Sequence, residues 1–310
     1  MQTRANNSVK NGLRLALIAS LILSMLIGVA PRSSVAAPTA NIIHVNANAP
    51  TGGDGASWAT AYKYLQDALA AVADDDEIWV AAGVYYPDED EGGNVTANDP
   101  MASFSLKTGL KDVRIYGGFA GGETSRDQRD WDANLTVLSG DIEQNDSTVN
   151  GVLQDTNGIV GTNANNVLIG RELDGVVLDG LTITGGDVEA KTPSFLETGG
   201  GGIQLEEILD VLLENLTVRG NRALSTGQTF GAQGGGVLVG DRIHVRGDTI
   251  LTIRRSVIRN NQSKLGGGLS VTSASVPNLI IEESHILENE QFDPNLQCSA
   301  GASGGGGIYL

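Results

Sequence analysis

From Asp76 onward the chain either alternates apolar and polar residues with period two or runs through Gly, Asn and Asp turns. That pattern is the signature of short, half-buried strands. Asn41 to Val45 reads as one more strand and Thr51 to Gly55 as a turn. A single stretch breaks the rule. Between Thr60 and Ala73, Leu65, Ala68, Leu69 and Val72 fall on one stripe at helical spacing, with Ser57 or Thr60 available as N-cap. The spacing predicts a helix over 60–73.

The strand pattern recurs. Val211, Leu213, Leu216, Val218 and Asn221 match Leu251, Ile253, Ser256, Ile258 and Asn261, and again Leu279, Ile281, Ser284, Ile286 and Asn289. An earlier copy, Val176, Leu178, Leu181, Ile183 and Gly186, lacks the Asn. Glycine runs ending at Gly202, Gly236, Gly268 and Gly307 each precede an apolar pair. The repeat length varies, which places the insertions in loops such as Leu224 to Gln233 and Gln291 to Ala302.

Stacked short strands joined by tight turns, three to a repeat, account for these features. Alternation directs one set of side chains into a narrow interior, where Val, Ile and Leu stack on their equals. Glycine serves where the chain turns sharply or approaches too closely for a Cβ. Asn at a fixed turn position can lie inward and bond to the next repeat. The expected fold is therefore all-β, a right-handed parallel β-helix over 41–310, with the 60–73 helix covering its N-terminal end. Leu213, Ile253 and Ile281 should form one buried column, with Leu216, Ser256 and Ser284 beside it. Asn221, Asn261 and Asn289 should form a bonded column, with Gly202, Gly236 and Gly268 as further structural positions.

The segment "LLENLTVRGN" also fits a leucine-rich repeat. Such repeats keep about 20–29 residues per unit and continue into a helical half. Here the asparagines lie 40 and then 28 residues apart, Ser256 and Ser284 replace a consensus leucine, and glycines with a further strand follow. The glycine-run and Val218-x-x-Asn221, Ile258-x-x-Asn261 and Ile286-x-x-Asn289 motifs resemble the GGA-I and F-x-x-N repeats of the polymorphic outer-membrane protein type, with an aliphatic in place of phenylalanine. The front, "GGDGASWATAYKYLQDAL", "DEIWVAAGVYY" and "IYGGFAGGETSRDQRDW", resembles bacterial surface proteins of the pectin-lyase-like superfamily. These resemblances imply a β-helix at the cell surface. For an enzyme of that superfamily they imply a polysaccharide lyase, with Ca²⁺-binding carboxylates and a basic residue, or a glycosidase with paired carboxylates.

Charge and leader narrow the function. Lys and Arg total 20 against 37 Asp and Glu, a net charge of -17. Nucleic acid would be repelled, and no glycine motif at a strand-to-helix junction points to a nucleotide. Arg4, Lys10 and Arg14 precede the apolar run Leu15 to Ala30, followed by Ser34-Val35-Ala36-Ala37. This is the order of a secretory signal peptide, and the run is shorter than the roughly 20 residues of a spanning helix. Residues 1–40 are therefore expected to be leader and linker. The protein is expected to be secreted or held at the cell surface, in the cell envelope or outer membrane. Cys298 is the only cysteine, so no intrachain disulfide exists. The chain stops at "GGGGIYL", within an expected strand, which points to a continuation bearing any membrane anchor.

Candidate chemistry is scattered. Asp174 and Asp179, Arg254 and Arg255, and Arg126, Asp127, Arg129 and Asp130 before Trp131 could serve a polysaccharide site, or could be solvated outer positions with Trp131 packing a long loop. The acidic Pro87 to Asn94 invites a Ca²⁺ reading but misses calcium-loop spacing. Arg246-Gly247-Asp248 is a short adhesion-like tripeptide, and His44, His244 and His285 share no ligand spacing. No catalytic residue, metal or cofactor is assigned. The expected function is a noncatalytic surface scaffold for adhesion or binding of extracellular polysaccharide or other cell-surface molecules. A lyase or hydrolase of the same fold is the alternative.

Overall fold

The period-two runs lie as parallel strands that pair with their equivalents one repeat away, not with their neighbours in sequence. The structure is a computed structural model, described for residues 40–190, 199–225, 233–240, 249–271, 278–291 and 306–310. The leader, Arg246-Gly247-Asp248, His244 and Cys298 lie outside these residues. The first sheet has seven strands: Ile42–Val45, Glu77–Ala81, Arg114–Phe119, Val176–Asp179, Asp210–Glu214, Ile250–Arg254 and Asn278–Glu282. A second of six runs from Gly83–Tyr85 to His285–Leu287, and another of six from Phe104–Ser105 to Ile308–Tyr309. Among the described residues the one antiparallel pair is a small hairpin, Thr148–Val149 with Val152–Leu153. The chain is thus all-β, mostly parallel and in stacked sheets, an arrangement consistent with a parallel β-helix.

Each later repeat contributes four strands, not three. After the turn at Gly186, Asn221, Asn261 and Asn289 the chain stays extended over Asp187–Ala190, Arg222–Ser225, Gln262–Ser263 and Glu290–Gln291, which pair in a four-stranded sheet of their own. These strands are short and share no residue pattern from copy to copy, although Val188 and Ala223 bury against each other.

The register builds the core. Ile43, Ile78, Ile115, Leu178, Leu213, Ile253 and Ile281 stand in line across the first sheet, each paired with the next. All but the last are buried. Ile281 is 36% exposed because Asn278–Glu282 is the end strand of its sheet, which corrects the expectation of a fully buried column. At the other end the expected helix is shorter. It spans Leu65–Ala71 and follows Tyr64 without a side-chain cap, while Trp58–Thr60 form a separate 3-10 turn. Tyr62 bridges to Val45 instead of entering the helix. Leu65, Ala68 and Leu69 pack into the main core beside the end strands Ile42–Val45 and Phe104–Ser105.

Asn221 and Asn261 are fully buried at equivalent turns, and Asn289 is half-buried at the next. Asn261 Oδ1 accepts from the backbone N (3.0 Å) and Nδ2 (3.0 Å) of Asn221. Asn289 Oδ1 accepts likewise from Asn261, at 3.1 and 3.0 Å. Each Nδ2 also donates back across the interior: Asn221 to Ile183 O, Asn261 to Val218 O and Asn289 to Ile258 O. The ladder begins at Gly186, whose N–H donates to Asn221 Oδ1 at 3.0 Å. A Cβ on Gly186 would lie 1.7 Å from Gly201 O, so that copy has no room for an Asn. Gly202, Gly236 and Gly268 face the ladder, where a Cβ would stand 2.9, 2.9 and 2.7 Å from the respective Asn Nδ2. Beside it, Ser256 Oγ accepts from Leu216 N and Ser284 Oγ from Ser256 N, both at 3.0 Å.

Two stability predictions follow from burial along these columns. Ile253→Ala should cost about 2–5 kcal/mol in chemical denaturation, and Ile281→Ala clearly less, because only the first leaves an enclosed cavity. Asn261→Leu should cost at least about 2 kcal/mol by stranding buried donors of Asn221. Asn289→Leu should lower the thermal midpoint less, since Asn289 is itself only half-buried and lies in the last bonded copy of the ladder, whereas Asn261 bonds to an asparagine on either side. Equal losses at the two asparagines would refute the ladder as a source of stability.

Candidate functional site

Outward-facing residues of the first sheet also stand in register. His44, Trp79, Tyr116, Asp179, Glu214, Arg254 and Glu282 form one external row. Its aromatic end is covered. Trp79 stacks on Phe119, with centroids 4.7 Å apart and planes 10° apart, and His44 meets Trp58 edge-on at 4.7 Å. Burial holds the His44 imidazole below its usual range, so it is uncharged at neutral pH. His285 lies far along the chain in the end strand of the second sheet, so these two histidines share no site.

The cover is the segment after Phe119. Glu123 accepts from the N–H groups of Ala120, Gly121 and Gly122, and Trp58 Nε1 donates to Glu123 O at 2.9 Å. Ser125 and Gln128 form a capping box around Arg126–Gln128. Asp130 Oδ1 accepts from Asp132 N and Ala133 N, which closes the next turn and commits that carboxylate to the loop.

Arg129 pins this loop to the sheet. Its guanidinium lies 5.0 Å from the Tyr116 ring centroid and 4.9 Å from that of Trp131, while Nη2 meets Asp179 Oδ2 at 2.5 Å. The pair is nearly enclosed, with side chains 8% and 5% exposed. Such a desolvated, charge-assisted contact is strong provided that both partners remain. Asp179 Oδ1 accepts from Asn215 Nδ2 at 2.7 Å, and Asn215 Oδ1 accepts from Arg255 Nε at 3.1 Å. Arg255 Nη2 then reaches Glu214 Oε1 at 2.6 Å, and Arg254 lies 3.6 Å from the same oxygen.

Between loop and sheet this network borders an open cleft of about 420 Å³. Val177 and Leu212 supply apolar floor, Tyr116 and Trp131 aromatic wall, and Arg126, Asp127, Asp179, Glu214, Asn215 and Arg255 polar groups. Arg126 Nη1 is 3.0 Å from the Tyr116 hydroxyl. Of the residues singled out in the sequence, Arg126, Asp127, Arg129, Trp131, Asp179 and Arg255 meet here, and Arg254 stands just behind. Asp174 does not. It sits half-buried at a bridge to Lys111. Tyr116, Val177, Leu212, Glu214 and Asn215 went unnoticed because each looks like an ordinary strand or corner residue until the register aligns it.

The acidic stretch Pro87 to Asn94 folds on itself. Asp90 accepts from Asn94 N and Nδ2, both at 2.8 Å, Asp88 Oδ2 from Asn98 N at 2.8 Å, and Glu89 from Gln144. Asp88 Oδ1 is buried without a hydrogen-bond partner. No group of three or more His, Cys, Asp or Glu among the described residues is placed to hold a metal.

Nearby, Asp146 ties the base of the excursion between the second-sheet strand Thr136–Ser139 and Leu168–Arg171. Its oxygens accept from Val160 N at 2.6 Å and Asn163 Nδ2 at 2.8 Å. Burial, reinforced by Asp141 and Asp187, pushes its carboxyl from 3.8 up to about 6. Between these values the folded chain holds more proton at this site than the unfolded one, so Asp146 makes stability fall as pH rises from about 4 to about 6. Thermal midpoints of the wild type and Asp146→Asn across that window should diverge, with the downward slope shallower in the variant. Parallel curves would rule this out.

No helix among the described residues is long and apolar enough to cross a membrane. Comparison with protein-family models, with curated proteins and with solved structures finds no match to this chain.

Proposed function

We propose that the protein is a right-handed parallel β-helix that works outside the cytoplasm as a noncatalytic scaffold, binding extracellular polysaccharide in the cleft beside Trp131. Right-handedness rests on the parallel crossovers, which take that hand in about 98% of cases. Export rests on the basic, apolar and small-residue order of the leader.

The observation that carries the binding reading is the cleft itself. An apolar floor, aromatic walls and a rim of paired donors and acceptors suit a sugar, which offers both C–H faces and hydroxyls. The noncatalytic part rests on how the lining carboxylates are used. Asp179 is bound by Arg129 and Asn215, Glu214 by Arg254 and Arg255, and Asp127 lies 3.7 Å from Arg126. A carboxylate that works as acid, base or nucleophile must be free to meet the glycosidic bond, whereas each of these would first have to leave its arginine.

Titration calorimetry against soluble polysaccharides tests the proposal. Binding by the wild type should weaken about tenfold or more in Trp131→Ala and Arg255→Ala, the equivalent of about 1.4 kcal/mol. Thermal midpoints near wild type would exclude misfolding as the cause. Undiminished affinity in both variants would place the ligand elsewhere, and release of new sugar ends by the wild type would restore the lyase or hydrolase alternative.

A further inference from the structure

Three arginines and three carboxylates line the cleft, and each arginine has an acid partner. Arg129 meets Asp179 at 2.5 Å, Arg255 meets Glu214 at 2.6 Å, and Arg126 lies 3.7 Å from Asp127 and 4.0 Å from Glu77. The chain around them carries a net charge of -17. We infer that the cleft selects uncharged glycans, and that Glu214 and Asp127 act as specificity-determining residues by occupying the arginines that would otherwise hold a uronate. The inference rests on the polysaccharide-binding reading and names the substrate class of that same site.

The argument is electrostatic. A carboxylated sugar entering the cleft would have to displace Glu214 from Arg255 or Asp127 from Arg126. The displaced carboxylate would remain beside the newcomer, so one ion pair is exchanged for another while like charges are brought together. Long-range repulsion by the acidic chain slows its approach as well. A neutral sugar displaces neither. Its hydroxyls can donate to carboxylate oxygens and accept from guanidinium N–H groups while each pair stays intact.

The two pairs differ in how easily they open. Arg255 is 45% exposed while Glu214 is only 14% exposed, so removing the acid's charge leaves a guanidinium able to turn into the cleft. Arg254, 3.6 Å from the same Glu214 oxygen, keeps Glu282 as a partner at 3.1 Å. Asp127 is 87% exposed and Arg126 46%, so that substitution carries little folding risk. Arg129 is unsuitable for such a test, since its partner Asp179 also holds the loop.

The experiment compares a neutral oligosaccharide series with oligogalacturonates on wild type, Glu214→Gln and Asp127→Asn, by calorimetry at low and moderate salt. Wild-type binding of a neutral ligand should vary little with salt, and oligogalacturonate should bind at least about tenfold more weakly. Glu214→Gln should gain about tenfold or more for oligogalacturonate, in a salt-sensitive manner. Asp127→Asn should gain less, and neither should gain for the neutral ligand. Wild type that takes oligogalacturonate as tightly as a neutral chain, or variants that gain nothing for it, would overturn the inference while leaving polysaccharide binding intact. A wild type that binds neither class would instead remove the underlying reading.

Discussion

Every part of this molecule depends on strands that pair parallel and in register with their equivalents one repeat away, at the usual spacing of about 4.8 Å. Because that spacing is close to the contact distance of aliphatic side chains, a position that is apolar in one repeat packs best on an apolar one in the next. Any polar group turned inward must find its partner in the repeat above or below. The isoleucine and leucine column of the first sheet meets the first condition and the asparagine ladder the second. The glycines facing the ladder are the complement of its amides, because a Cβ at Gly202 or Gly236 would press to 2.9 Å from the Asn nitrogen.

The same register that orders the interior orders the outside. An outward position is repeated along the sheet as faithfully as an inward one, but solvent places no demand for likeness on it. The external row therefore changes from His44, Trp79 and Tyr116 at one end to Asp179, Glu214, Arg254 and Glu282 at the other. Covering the aromatic end requires the loop after Phe119, and Arg129 holds that loop by stacking over two rings and pairing with a buried aspartate. The cleft is what remains where the cover stops and the charged row begins.

Much of the fold is written in the sequence because its signals are local or periodic. Period-two alternation, the repeated Asn and the glycine runs determine strands, parallel stacking and the ladder residues, for each is a constraint that every repeat must satisfy. The helix was legible from its stripe but not its start, since Tyr62 pairs with Val45 across a turn that no local pattern announces. The fourth strand of the later repeats was hidden because its two to four residues keep no common pattern from copy to copy, and its existence depends on the strands stacked beside it.

The cleft was only half legible. Arg126, Arg129 and Trp131 stand out as charged and aromatic residues in a glycine-rich loop, and Asp179 and Arg255 as charges beside strand ends. Nothing local connects them, since Arg129 and Asp179 are 50 residues apart. Glu214 and Asn215 look like ordinary residues at a strand end and corner until pairing brings them next to Asp179. Sequence alone thus determined what each repeat must be, because stacking applies the same demand to each copy. Tertiary structure decided which outward residues meet and which charges neutralise one another. Those contacts join different repeats and a loop, and no periodic demand acts on them.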